Sequence, residues 1–173
     1  MKTLNEDYCT VCVKYKDLTR NFFPKAIHFH WDKECLLFLT LHFGEVLTLS
    51  HFFSLPQQQY LQDSKSVDKE FLRLFSGGGK SLLCWTLKEL LFKGLISSDQ
   101  EIELEAGGDE VSDNDMIRLI DYYNYLGFEP IDNSQTITNG YPMKSTVKKV
   151  LNNCNQSTSI IGQYLKHQSL NMI

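Results

Sequence analysis

A single α+β domain with a mostly antiparallel sheet is the fold this sequence predicts, and three observations predict it. The stretch from Tyr8 to Phe53 is rich in β-branched and aromatic residues broken by turn signals. Two helical periodicities follow, each closed by a glycine. Extended sequence separates and follows those helices, so strands surround two helices in one unit. The 173-residue chain suits one core, burying about two thirds of the surface its unfolded form exposes. Neither a repeat nor a linker interrupts it, and residues 1–173 are read as one domain.

The elements follow in order. Residues 8–15, YCTVCVKY, read as a strand. A turn at 21–24 precedes three extended segments at 26–31, 35–42 and 45–53, with Gly44 marking a hairpin between the last two. Residues 55–69, with Pro56 and three consecutive glutamines, have no periodicity and read as an exposed loop. The apolar run 71–75 then leads into Gly77, Gly78 and Gly79 and a helix carrying Leu82, Leu83, Leu87, Leu90 and Leu91, which stops at Gly94. Residues 101–106 alternate strictly, as a strand with one buried face does. Ser112 can cap the second helix while Asp115 reaches back to it; the apolar positions are Met116, Ile117, Leu119, Ile120, Tyr123 and Leu126, and Gly127 ends it. Two weaker strands are expected at 128–131 and 141–147, and a helical tail over 150–173.

Charge and cysteine usage narrow the class. Seventeen Lys and Arg against 21 Asp and Glu give a formal net charge of -4, so no overall basic field exists to hold nucleic acid by counterion release. The first seven residues carry acids where a signal peptide is apolar, and no run of about 18 apolar residues occurs. A cytoplasmic or nuclear protein without membrane or nucleic-acid partners is therefore expected. Five cysteines, at 9, 12, 35, 84 and 154, form an odd, scattered set that suits reduced thiols. Cys9 and Cys12, three apart on a strand, would point to opposite faces, which disfavours a zinc site built from them with His28, His30 and Cys35. Both are expected reduced and metal-free.

The glycine turn carries the clearest chemistry. Three glycines between a strand and a helix let the backbone approach a ligand, and the free N–H groups of the helix's first turn favour an anion such as a pyrophosphate. Lys80 would add a charge and Ser81 a hydroxyl. The plainer reading is that the glycines only make a tight turn. A nucleotide-binding P-loop shares the ending Gly79-Lys80-Ser81, but its first glycine would fall at Leu74.

The stretch Gly77-Gly78-Gly79-Lys80-Ser81-Leu82-Leu83 resembles the G-x-G-K-x-L-L turn that opens the cofactor helix of GNAT acetyltransferases. Tyr122-Tyr123-Asn124-Tyr125-Leu126-Gly127-Phe128 is similar to the same family's L-Y-x-x-L-G-F segment. Order and spacing agree over 71–128, and the two final strands extend the match to 147. Leu74 departs from the Gln or Arg that the family prefers there, and Met116 stands where it often has Asn.

The resemblance implies a mixed, mostly antiparallel sheet flanked by helices, and an N-acetyltransferase moving an acetyl group from acetyl-CoA to an amine. The backbone of Leu72, Arg73 and Leu74 would pair with the pantetheine amides, and the amides of Gly77, Gly78, Gly79, Lys80 and Ser81 would hold the pyrophosphate, with no metal. Tyr123 would protonate the departing thiolate. The acceptor, a small molecule or a protein, stays open, and a homodimer is compatible with this class. A GNAT-like domain that binds acyl-CoA without turnover is the alternative. Glu101, Glu103 and Glu105 could attract a basic amine, although a solvated strand face is the more common explanation of such a row.

Overall fold

The computed structural model describes residues 2–14, 35–54, 77–107, 112–137, 140–154 and 160–171. The expected strands at 26–31 and 71–75, the loop at 55–69 and the residues Leu72, Arg73 and Leu74 lie outside them. The strands are β1 (Lys2–Leu4), β2 (Tyr8–Lys14), β3 (Cys35–His42), β4 (Leu47–Ser54), β5 (Glu101–Ala106), β6 (Glu129–Pro130) and β7 (Tyr141–Thr146). The helices are α1 (Gly78–Phe92), α2 (Asp113–Tyr125), α3 (Val147–Asn152) and α4 (Ile160–Leu165).

The strands form one mixed sheet in the order β1-β2-β3-β4-β5-β7-β6. Every neighbouring pair is antiparallel except β4 and β5, which run parallel. The strict alternation of β5 puts Ile102, Leu104 and Ala106 in the core and leaves Glu101 and Glu105 exposed. Leu37, Leu39 and Leu41 of β3 and Leu47 and Leu49 of β4 join the same core. Against them pack Leu82, Leu83, Leu87 and Leu90 of α1, and Met116, Ile120 and Tyr123 of α2. Each fully buried leucine contributes about 1.5–3 kcal/mol of apolar transfer free energy, so this layer is the main source of stability.

Both long helices end as read. Leu95 N–H donates to the Leu90 carbonyl at 3.0 Å and Phe128 N–H to the Tyr123 carbonyl at 3.0 Å, the six-to-one bond of a helix closed by a left-handed residue. At Gly127 the φ is +100°, and a Cβ there would stand 2.7 Å from Asn153 Nδ2. Ser112 caps α2, accepting from Asp115 N–H at 3.2 Å and donating to Asp115 Oδ2 at 2.6 Å.

Other expectations are corrected. β1 was not anticipated; three residues are too few to show alternation, and β2 supplies its register. The strand expected over 128–131 is only the two residues of β6. At Val147 the last strand gives way to α3, because Thr146 accepts from Lys149 N–H and caps it. The tail is two six-residue helices among the described residues rather than one.

The thiols depart furthest from expectation. Cys12 is bonded to Cys35 and Cys84 to Cys154, with Cα–Cα separations of 5.4 Å and 5.9 Å, within the span a disulfide bridges. Only Cys9 is free; burial pushes its thiol up to about 12. Sequence separations of 23 and 70 hid both pairs: β2–β3 pairing brings the first together, and docking of the residues after α3 on α1 brings the second. Among the described residues no cluster of three or more His, Cys, Asp or Glu could hold a metal ion, and no helix is long and apolar enough to cross a membrane.

Candidate functional site

The parallel pair β4–β5 sets the location. Its register covers only Leu47, Leu49 and the residue between them, against Ile102 to Leu104, although β4 runs on to Ser54 and β5 to Ala106. Pairing therefore stops toward the carboxyl ends of both strands, the place where ligands collect in sheets with parallel strands. Just there the β3–β4 register shifts between Thr40 and Leu41, leaving Ser50 without a register partner among the described strands. Such bulges re-aim backbone groups and are frequent beside active sites.

The amino end of helix α1 lies against this end of β4, since a Cβ on Gly79 would stand 3.3 Å from Phe52 Cζ. Gly77 holds φ 73° and ψ 6°, no side chain caps the helix, and its first turn contains no acid. The first intrahelical bond is Ser81 N–H to the Gly77 carbonyl at 2.9 Å. The N–H groups of Gly78, Gly79 and Lys80 thus have no partner within the helix, and nothing acidic in its first turn offsets the positive end of its dipole.

Each glycine has its own reason to be there. The left-handed φ of Gly77 favours glycine, and among the described residues no atom lies within 4 Å of its Cβ position. A Cβ on Gly78 would lie 3.2 Å from Leu37 Cδ1 and 3.2 Å from Ile161 Cγ1. One on Gly79 would lie 3.0 Å from Tyr122 Oη and 3.3 Å from Phe52 Cζ. The triple glycine therefore combines one turn position with two close packing contacts. Ser81, whose hydroxyl was expected at the turn, is buried, on the helix face shared with Gly78 and Leu82. Lys80 remains at the helix end, donating to Tyr125 Oη at 3.0 Å with its ammonium 4.3 Å from that ring's centroid.

Helix α2 brings the tyrosines. Tyr123 is 7% exposed, with ring centroids of Tyr122, Phe128 and Phe52 at 5.6, 6.0 and 6.4 Å. Burial pushes its phenol up to about 12. Tyr122 stacks on Phe52 at 6.4 Å and 26°. Its phenol is raised further, first by burial and then by Tyr123 and Tyr125. Sequence reasoning singled out Tyr123, which continues the apolar spacing of α2. The structure places the hydroxyl of Tyr122 against Gly79 and that of Tyr125 against Lys80. The signal was present: Tyr122 and Tyr125 are three apart and share a helix face distinct from the core stripe.

The site thus joins three helix N–H groups without a partner inside the helix, one lysine, a neutral phenol and an aromatic platform at the end of a parallel strand pair. Such a set can bind an anion at one end and place a proton donor beside it. No protein-family model matches the chain, and no curated protein is significantly similar to it.

Proposed function

We propose that the protein is an acetyl-CoA-dependent N-acetyltransferase of the GNAT type. One observation carries the reading: the uncapped, acid-free start of α1 and the tyrosines of α2 converge where parallel β4 and β5 stop pairing. The pyrophosphate of acetyl-CoA takes the N–H groups of Gly78, Gly79 and Lys80, with Lys80 adding charge. Leu72, Arg73 and Leu74 receive the pantetheine as an added strand, a role that rests on sequence resemblance alone.

The acceptor amine, on a small molecule or a protein, attacks the thioester carbonyl. Positioning and polarisation of that carbonyl by a backbone N–H supply most of the rate. The tetrahedral intermediate expels the thiolate, and Tyr123 donates the proton that makes it a thiol. A phenol raised to about 12 stays protonated at neutral pH, as a general acid must.

The test separates charge from shape. Gly79→Val is a poor probe, since its side chain would strike Tyr122 and Phe52 whether or not a ligand binds. Among the described residues no atom lies within 4 Å of the Cβ position of Gly77, and Asn and Asp both tolerate its left-handed backbone. Gly77→Asp should weaken CoA binding at least tenfold in calorimetry relative to the isosteric Gly77→Asn. Equal affinities place the pyrophosphate elsewhere. Stabilisation by ATP and magnesium but not by CoA favours the P-loop reading. CoA binding without release of free CoA across an amine panel makes the protein a binder.

A further inference from the structure

We infer that the Cys84–Cys154 pair is a redox latch that holds helix α4 against the glycine turn of α1. Cys84 sits within α1, and Cys154 directly follows α3, six residues before α4 begins. The sulfur bond therefore pins the entry to α4 onto the helix that carries the turn. Inside α4, Ile161 is the side chain a Cβ on Gly78 would meet at 3.2 Å, and Ile161, Tyr164, Leu165 and Leu170 all enter the core. Covalent chemistry at position 84 is thus coupled to packing at position 78, about 9 Å away along α1 at 1.5 Å per residue.

The two disulfides differ in what else does their work. Cys12 and Cys35 join strands already laddered through a seven-pair register, so opening that bond leaves β2 and β3 paired. α3 and α4 have six residues each, too short to hold helical form without docking. Besides the sulfur bond, packing and hydrogen bonds hold them, among them Leu170 N–H to Glu89 Oε2 at 3.3 Å and Lys2 Nζ to Gln168 Oε1 at 2.8 Å. Opening Cys84–Cys154 raises the frequency with which α4 leaves α1, since Cys154, six residues before α4, is then no longer covalently tied to α1.

The chemistry is thiol–disulfide exchange. A thiolate of a dithiol reductant attacks Sγ of Cys154, the more exposed partner, forming a mixed disulfide and releasing Cys84 as a thiolate that takes up a proton. The reductant's second thiolate then attacks the mixed disulfide, releasing Cys154, and the reductant leaves as its own disulfide. In the reverse direction a glutathione-type disulfide accepts the two electrons and the two cysteines lose two protons. In a reducing compartment, where such pairs are ordinarily kept as thiols, the latch is open until an oxidant appears.

The experiment is amide hydrogen exchange on the full chain, oxidised by glutathione disulfide and reduced by dithiothreitol, with peptide mapping to verify the thiol state. Exchange over 160–171 and at 78–81 should rise at least tenfold on reduction. Cys84→Ser/Cys154→Ser should show the fast pattern under both conditions, and Cys12→Ser/Cys35→Ser should still respond as wild type does. Equal exchange in the two states, or mapping that finds Cys84 and Cys154 unpaired after oxidation, overturns the proposal. CoA does not enter this measurement, so its outcome is independent of the acetyltransferase reading.

Discussion

Helices α1 and α2 are built on opposite plans. α1 buries eight of its 15 residues and starts on a left-handed glycine without a side-chain cap or an acid in its first turn. α2 starts on a reciprocal Ser112–Asp115 cap and keeps polar residues along its outer face. The first helix is held by packing, the second in part by its own terminus. A helix fixed by its core face can leave its amino end without a capping side chain, as α1 does, while Ser112 closes the amino end of α2.

The largest expected effect tests which tyrosine of α2 serves the open end of α1. Tyr123→Phe should lower turnover by about 10²–10⁴-fold with little change in folding, the ordinary contribution of a positioned acid. Tyr122→Phe is the informative partner because its hydroxyl faces Gly79. If the loss appears in Tyr122→Phe and not in Tyr123→Phe, with chemistry rate-limiting, the acid has been assigned one residue too late.

Packing comes next. Leu87→Ala, at a fully buried position of α1, should cost about 2–5 kcal/mol in urea unfolding. A loss under 1 kcal/mol would mean that packing is not what holds α1.

Alkaline titration probes the same aromatic cluster. The folded phenol of Tyr123 lies near 12, above the ordinary 10, so its neutral form is favoured by folding. Its contribution is complete below pH 10 and disappears as pH rises through 12. Two pK units correspond to about 3 kcal/mol. Wild type should therefore lose stability between pH 10 and 12 more steeply than Tyr123→Phe, as read from melting temperatures and phenolate absorbance. Parallel slopes would show that the ring is solvated in solution.

The smallest effect belongs to the closed end of α2. Ser112→Ala should cost about 1 kcal/mol, the usual worth of an N-cap, and leave CoA affinity unchanged. A change in affinity would contradict the division of labour between the two helices.

What the sequence determined was whatever depends on neighbours in the chain. The alternation of residues 101–106, the Ser112–Asp115 cap, and the endings at Gly94 and Gly127 were legible because strand period, capping and helix termination act over a few residues. The glycine turn was legible for the same reason. Tertiary structure decided the rest. Cys84 and Cys154 are 70 residues apart, and only the docking of the chain after α3 onto α1 makes them partners. The burial of Ser81 was set by the roll of α1 against the core. The contacts of Tyr122 with Phe52 of β4 and with Gly79 likewise join segments far apart in the chain. Contacts between distant segments depend on register and packing angle, and no local pattern in the chain encodes either.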